Sequence, residues 1–430
     1  MQRSTIIRRA RSVGGLAIGT ALALTLAACG QGSATSEPEV TATEGEEPSV
    51  AISYMNFSAN GGQEENLQAI VDAFEADNPG ITVDVETIPY DDYFTKLQTA
   101  VAGGTEADAF ELNYENFVTY ATNGSLAELS GVDAAPYTAS LLDAFTLDGA
   151  QYGLPESFSN VVLFYNAALF EAAGLDTPSA DWTWADAQAA AETLTDPDAG
   201  VWGYYQPVSF FEFYKALGQS GGEFFNADMT ASTFNSPAGI EAATWLTSKP
   251  GTTMPTEADG AGTPDFDTNL FKDGKLAMWV NGIWQFNGLS EVEGLDWDIA
   301  VEPGNTQKAS AMFTNGVVVS ASSDKQEAAQ AWIEYLTSSD TMVDTRLAAS
   351  WELPPISDTA KLATYLDVTP PASRQVVFDS LEATVLPPVI ASQQEMQDIV
   401  GEELGNAAAG RKTVEQALDD AAARVDALLG

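Results

Sequence analysis

Residues 49–54, Ser-Val-Ala-Ile-Ser-Tyr, begin a series of alternating strand and helix patterns that extends to residue 122. After this strand, Leu67, Ile70, Val71 and Phe74 recur at helical spacing, so the second element is predicted to be an amphipathic helix. The remaining predicted elements are a strand at 81–88, a helix at 91–102, a strand at 107–112 and a helix at 117–122. Strands that alternate with helices predict an α/β fold with a mainly parallel sheet flanked by helices. Ligands of such sheets bind beyond the carboxyl ends of the strands.

Further strand and helix patterns follow in the rest of the chain. Apolar runs at 161–165, 276–280 and 316–319 predict strands. Thr183, Ser236 and Thr413 each precede a helical pattern and are predicted to be N-caps, because their hydroxyls can accept a hydrogen bond from a free amide of the first turn. The clearest helices near the C-terminus are predicted at 324–337 and 413–429.

The N-terminal 28 residues have the layout of a secretory signal peptide. Four arginines precede an apolar run at 13–28 that is too short and too rich in Gly and Ala to predict a membrane-spanning helix. The run ends in Leu-Ala-Ala-Cys, which resembles the lipobox of bacterial lipoproteins. The resemblance implies cleavage before Cys29 and lipidation of its thiol; the alternative is an ordinary signal peptide followed by an unmodified cysteine. Residues 29–48 are acidic without an apolar face, which predicts a flexible tether.

Charge limits the partners that this chain can have. When the four arginines before Cys29 are removed from the 17 cationic residues, 13 remain against 62 acidic ones, a formal charge of −49. Such a chain repels phosphate, so nucleic acid is excluded as a partner, and it repels anionic lipid headgroups, so membrane contact is expected only through an anchor at Cys29. With 45% hydrophobic and 10% aromatic residues, the chain can still build a large core.

The lack of histidine and the single cysteine limit the possible chemistry. With no histidine, Ser-His-Asp and Cys-His catalysis and the usual zinc sites are excluded. Residues 265–269 begin like a calcium-binding loop, but Leu270 and Leu276 replace the glycine and the closing carboxylate that such a loop needs. We therefore expect no cofactor and no metal site, with a looser calcium site as the alternative. We also expect no enzymatic activity, although catalysis by paired carboxylates remains open without histidine.

Four stretches, in order, carry a resemblance to a known family. They are residues 88–97 with 102–105, residues 152–155 with 163–166 and 169–175, residues 182–184, and residues 274–278 with 282–284. With them the chain resembles the extracellular solute-binding proteins of ABC importers, in the branch that takes up sugars and includes maltose-binding protein. Their order behind a lipobox makes the resemblance specific.

This resemblance implies a two-lobed periplasmic-binding-protein fold of class II type with a ligand cleft between discontinuous lobes. Lobe 1 is expected at 49–158 and 314–350, and lobe 2 at 159–313 and 351–430. The lobes would close over a neutral mono- or oligosaccharide by a hinge motion and deliver it to the ABC permease. The protein would be a monomer that is exported and lipid-anchored at the outer face of the cytoplasmic membrane or on the periplasmic side.

Eight residues are candidates for contact with a sugar. Trp284 and Trp351 are possible stacking platforms, and Glu156 is a possible acceptor for sugar hydroxyls. Core packing is the alternative for the two tryptophans, and a solvated surface carboxylate is the alternative for Glu156. The other candidates lie past strand ends or at the second crossover: Asn56, Phe57, Asn113, Glu115 and Asn315.

Two other functions remain open from the sequence. One is a secreted glycoside hydrolase, which can act through paired carboxylates without histidine. The other is a receptor for another solute, such as a peptide or a polyamine, because polyamines suit acidic clefts.

Overall fold

The computed structural model describes residues 50–60, 62–349 and 351–429. The predicted signal peptide, the tether and Cys29 therefore lie outside the described residues. The strands are β1 (Val50–Asn56), β2 (Ile81–Thr87), β3 (Ala109–Asn113), β4 (Thr146–Leu147), β5 (Ala150–Gln151), β6 (Gly153–Asn166), β7 (Met278–Gly282), β8 (Trp297–Ala300), β9 (Ser310–Val319) and β10 (Thr384–Val385).

The helices of the first half are α1 (Glu64–Asp77), α2 (Tyr90–Gly103), α3 (Tyr114–Thr122), α4 (Ala139–Asp143), α5 (Ala167–Ala173), α6 (Trp184–Leu194), α7 (Phe210–Gln219) and α8 (Pro237–Thr247). Those of the second half are α9 (Glu257–Gly260), α10 (Phe266–Lys272), α11 (Phe286–Ser290), α12 (Gln326–Ser338), α13 (Asp340–Ala348), α14 (Ala363–Leu366), α15 (Gln375–Asp379), α16 (Gln393–Ala408) and α17 (Val414–Asp426). Across the described part of the chain, no helix is both long and apolar enough to cross a membrane.

Caps at three helix starts agree with the sequence. The side chains of Thr183, Ser236 and Thr413 accept hydrogen bonds from the backbone amides three residues later. At Thr183 and Thr413 the third helical residue returns the bond, which completes a capping box. These local signals fix where α6, α8 and α17 begin, so all three caps are confirmed.

The main sheet is mixed. Its strands follow the order β2-β1-β3-β9-β6-β7, with β8 on β6 and β10 on β9. The pairs β1–β2 and β1–β3 are parallel, as the strand and helix alternation predicts. By contrast, β9 is antiparallel to β3 and β6, and β6 is antiparallel to β7 and β8. The α/β class is confirmed, but the sheet is mixed instead of mainly parallel, because β9 runs antiparallel to β3 and β6, and β6 runs antiparallel to β7 and β8.

The strands β6 and β9 connect the two ends of the molecule. The first half of β6 pairs with β9, and its second half, from Val161 to Asn166, pairs with β7 and β8. The β6–β9 register shifts between Pro155 and Ser157, so Glu156 lies in a β-bulge. A bulge redirects a side chain and tolerates a proline within a strand. Next to this bulge, Phe158 also forms a bridge with Leu353.

Three apolar clusters hold the elements together. The first packs α1, α12 and α13 on β1 and β9, with the Trp332 ring centroid 5.5 Å from that of Tyr54 and 5.2 Å from that of Phe74. It also contains Ile356 and Leu362, which the sequence assigns to lobe 2. The second packs α5 to α8, α16 and α17 on β6 and β7. The third extends along β6 and β9, and in it Phe164 contacts the rings of Trp279 and Trp297.

A buried ionic group lies in the part of the molecule built on the second cluster. The Lys215 Nζ atom is 2.7 Å from Glu212 Oε2 and 2.7 Å from Glu302 Oε2. Burial raises the pKa of Glu302 to about 7, although the positive charge of Lys215 acts in the opposite direction. A charged lysine in such a core requires these carboxylates, because an unpaired buried charge is strongly destabilising.

Candidate functional site

The polar residues at the strand ends lie at one edge of the sheet. Asn56 ends β1, and Asn113 ends β3. Asn113 is the register partner of Asn315 on β9, and Asn315 is in turn opposite Ser157 beside the β6 bulge. The topology therefore brings Asn113 and Asn315 together, although they are 202 positions apart in the sequence.

Asn56 and Phe57 are buried beneath this edge. The Asn56 side chain donates to Thr87 Oγ1 at 3.1 Å and accepts from the Ala59 amide at 3.3 Å. The Phe57 ring packs edge-on against Tyr90 and Tyr93, with centroids 5.1 and 4.9 Å apart. Both side chains support the loop after β1, and this burial differs from the ligand-facing position that the strand-end argument predicts.

Asn113 and Glu115 lie near a more open surface. Asn113 caps α3 by accepting from the Asn116 amide at 3.1 Å, and its Nδ2 atom donates to Tyr90 Oη at 3.2 Å. The Tyr90 side chain is 53% exposed. Glu115 lies in the first turn of α3, and partial burial raises the pKa of its carboxyl group. A sugar-binding role for Asn113 and Glu115 stays a prediction.

Trp284 is a large exposed aromatic side chain. It follows β7 and is 55% exposed, in contrast to the fully buried Trp279 within the strand. Its ring lies over Gly282: a Cβ atom at that position would be 1.9 to 2.1 Å from three ring carbons. Only glycine leaves room for this ring position, which explains the Gly-x-Trp pattern in physical terms.

Other aromatic residues extend from Trp284. The Phe313 ring, on β9, contacts Trp284 with a centroid distance of 5.9 Å and contacts Phe211 at 6.3 Å. Phe211 is 39% exposed and reaches Tyr214 on the next turn of α7. These three residues were not identified from the sequence, because no local pattern reveals that α7 lies beside β9.

Trp284 and Trp351 line the same cavity, which has a volume of about 500 Å³. Its apolar wall includes Phe158, Phe286 and Tyr365. Polar groups on the wall are contributed by Asn287, Glu352, Thr364, Arg346 and Arg374. Aromatic faces combined with a few convergent polar groups are typical of small-molecule sites. The sequence predicted both tryptophans separately, and the fold brings them to one cavity.

Glu156 does not lie on an open surface. It is 1% exposed, and its Oε1 atom accepts from Arg346 Nη2 at 2.5 Å. The expectation that Glu156 is a free acceptor for sugar hydroxyls is therefore corrected: the β-bulge directs its carboxylate inward to a buried arginine. The exposed carboxylate in this region is Glu352, which accepts from Ser157 Oγ and, at 3.4 Å, from Asn315 Nδ2.

The two arginines of the cavity have partners for their charge. Arg346 is paired with Glu156. The Arg374 Nε atom donates to Val368 O at 2.8 Å, and its guanidinium lies against the rings of Tyr365 and Phe286. Because Glu352 adds a negative charge, the cavity has no excess of positive charge. It therefore suits a neutral ligand better than an anionic one.

The mixed sheet, the three segments that run side by side near Phe158, and a cavity at that point agree with the fold of a two-lobed solute-binding protein. The family model for bacterial extracellular solute-binding proteins matches residues 69–369. The chain belongs to this family.

Three known proteins illustrate the similarity. An ABC substrate-binding protein from Listeria monocytogenes, solved in complex with cycloalternan, is 43% identical, and the match covers 88% of this chain and 98% of that one with a TM-score of 0.73. A binding protein of Brucella abortus is 27% identical over 88% of this chain and 93% of its own length. The cyclic α-maltosyl-1,6-maltose binding protein of Arthrobacter globiformis shares the fold, with 24% identity, coverage of 89% and 99%, and a TM-score of 0.76.

Proposed function

We propose that this chain is the ligand-binding receptor of an ABC importer and that it binds a neutral oligosaccharide in the cavity lined by Trp284 and Trp351. The observation that carries the proposal is the exposed Trp284 ring at the wall of a cavity of about 500 Å³ that Trp351 also lines. A contiguous exposed apolar patch marks a ligand site more than a single exposed residue does, and Trp284 forms such a patch with Phe313 and the exposed Phe211.

The chemistry of the wall fits a sugar. Pyranose rings present C–H faces, which pack on aromatic rings, and hydroxyl groups, which require donors and acceptors. Asn287, Glu352 and Thr364 are exposed polar residues at the wall and can meet such hydroxyls. The matched charges of Arg346 and Arg374 favour an uncharged ligand. The complex of the Listeria relative makes cycloalternan the first probe to use.

The receptor would work by hinge closure between its lobes. We place the first two lobe boundaries at 158/159 and 313/314, because the crossing strands β6 and β9 change partners near them. We place the third boundary beyond the expected 350/351, because Ile356 and Leu362 pack in the same cluster as α1, α12 and α13. Anchoring through a lipid at Cys29 would keep the receptor near its permease at the outer face of the membrane. Two acyl chains suffice for stable anchoring.

The test is a thermal-shift titration with cycloalternan and linear maltodextrins. A ligand that binds only the native state raises the melting temperature, so the wild type should shift. Trp284→Ala and Trp351→Ala should each lose most of the shift, whereas Met229→Ala removes an exposed apolar side chain outside the cavity and should keep it. A shift with spermidine or a peptide and with no carbohydrate would contradict the proposal, and release of sugar products would support the glycoside hydrolase instead.

A further inference from the structure

The Trp351 ring is held by contacts with two other segments. Its Nε1 atom donates to the Ser58 carbonyl at 3.2 Å, and its backbone amide donates to the Arg346 carbonyl at 3.0 Å. The guanidinium carbon of Arg346 lies 4.2 Å from the centre of the ring. A cation over an indole face is an attractive contact that strengthens when it is desolvated. The orientation of Trp351 therefore depends on Arg346 and on the loop at Ser58.

Arg346 is in turn held by Glu156. Arg346 lies on α13 and is fully buried, and its Nη2 atom donates to Glu156 Oε1. Its Nε and Nη1 atoms have no hydrogen-bond partner within the described part of the chain. The position of the guanidinium thus rests on one carboxylate, in a place where solvent cannot replace that partner.

Glu156 faces a second buried carboxyl group, that of Glu111 on β3. Glu111 pairs with Val317 of β9, and Pro155, next to Glu156 in the bulge, pairs with Gly316, so the two carboxyl groups lie close to each other across β9. Glu111 Oε2 accepts from the amides of Phe57 at 2.9 Å and Ser58 at 3.0 Å. Among the described residues, Glu111 Oε1 and Glu156 Oε2 have no hydrogen-bond donor.

One proton between these two carboxyl groups explains the arrangement. Two adjacent buried carboxylates repel each other too strongly for both to be ionised. Burial raises the pKa of both carboxyl groups, but the positive charge of Arg346 opposes this at Glu156, so the proton belongs on Glu111. Burial, followed by repulsion from Glu156 and Glu352, raises the pKa of Glu111 well above its usual range. The other charged and titratable groups that face the pair are Arg346, Tyr54, Tyr90 and Tyr93.

We infer that Arg346 is a positioning residue for Trp351. We further infer that the position of the Arg346 guanidinium depends on the proton shared by Glu111 and Glu156. The inference rests on the proposed function, because Trp351 lines the proposed sugar site. Loss of the proton would place two charges side by side. It would also disturb both supports of Trp351 at once, since Glu111 binds the Ser58 amide and Glu156 binds Arg346. Sugar affinity would then fall at alkaline pH.

The direct test needs no change to the buried groups. The fluorescence of Trp351 is obtained as the difference between the wild type and Trp351→Phe, and it is followed without ligand from about pH 5 to about pH 10, a range that starts near the ordinary pKa of a glutamate. We expect one transition on the alkaline side of the usual carboxyl range. Glu111→Gln, which keeps the shape and can donate permanently to Glu156, should abolish the transition, and Glu128→Gln, at an exposed glutamate, should keep it.

Affinity for cycloalternan over the same pH range gives the functional readout. We expect wild-type affinity to fall about fivefold across the transition and Glu111→Gln affinity to stay level. Arg346→Lys retains the charge but loses the planar contact with the indole, so it should bind about fivefold more weakly at all pH values. A Trp351 signal without a transition, or a transition that persists in Glu111→Gln, would overturn the inference. If no carbohydrate bound the wild type, the proposed function would fail, while the ligand-free fluorescence would still decide the inference.

Discussion

Replacement of Gly282 by alanine should move Trp284 without unfolding the protein. The added Cβ atom would lie 1.9 Å from Cζ3, 2.0 Å from Cη2 and 2.1 Å from Cε3 of Trp284. Carbon atoms in contact prefer a separation of about 3.5 to 4.0 Å, so the ring must move by at least about 1.5 Å. The Gly282 backbone has φ −86° and ψ 157°, which alanine adopts freely. The exposed ring has space to swing away, so the substitution should change the position of the ring and leave the backbone unchanged.

The size of the effect follows from the value of an aromatic contact. Stacking of this kind contributes about 1 kcal/mol, so loss of the Trp284 platform should weaken oligosaccharide binding by roughly fivefold to tenfold. The free energy of unfolding should change by less than about 0.5 kcal/mol, as for other exposed substitutions. Isothermal titration calorimetry with cycloalternan measures the first quantity, and urea unfolding measures the second.

Gly401→Ala is the matched control. Gly401 lies within helix α16, and a Cβ atom there has no neighbour within 4 Å. We expect unchanged affinity and a stability gain of about 0.5 to 1 kcal/mol, because alanine is the better helix former. Wild-type affinity in Gly282→Ala would show that the position of the Trp284 ring is irrelevant to binding. A large loss of stability would show instead that Gly282 serves the backbone.

Three further outcomes are expected. Glu156→Gln should lower the free energy of unfolding, measured by urea unfolding, by about 3 to 5 kcal/mol, because it leaves the buried charge of Arg346 without a partner. The double variant Glu156→Gln with Arg346→Met should recover part of this loss. The folded-state pKa of Glu302 is raised to about 7, so its contribution to stability is complete below the usual pKa of a glutamate and is lost as the pH rises through 7. Glu302→Gln should flatten this part of a curve of unfolding free energy against pH. An unchanged curve would contradict the raised pKa of Glu302. Cys29→Ser protein should keep its ligand but appear in the medium instead of the membrane fraction, and continued membrane retention would refute the lipid anchor.

The sequence predicted what depends on local physics. The apolar periodicity of α1 and the capping residues of α6, α8 and α17 act within a few residues, and the structure confirms them. The parallel pairing of β1 with β2 and β3 follows from their connecting helices. The exposure of Trp284 agrees with its expected place after a strand.

The sequence could not predict contacts that only the complete fold creates. The ion pair of Glu156 and Arg346 joins residues 190 positions apart, and no local pattern signals that a β-bulge directs Glu156 inward. Likewise, Phe313 meets Trp284 only because β6 pairs with both β9 and β7 and so brings the two residues together. A polar residue after a strand can face a ligand or support a loop, as Asn56 does, and the choice depends on neighbours distant in sequence.

The most direct test of the account is calorimetric titration of the wild-type protein with a series of neutral oligosaccharides, with product analysis of the same samples. We expect saturable binding of one oligosaccharide per chain, with cycloalternan as the first candidate, and recovery of the sugar intact. Absence of heat with every carbohydrate, or conversion of the sugar to products, would contradict it.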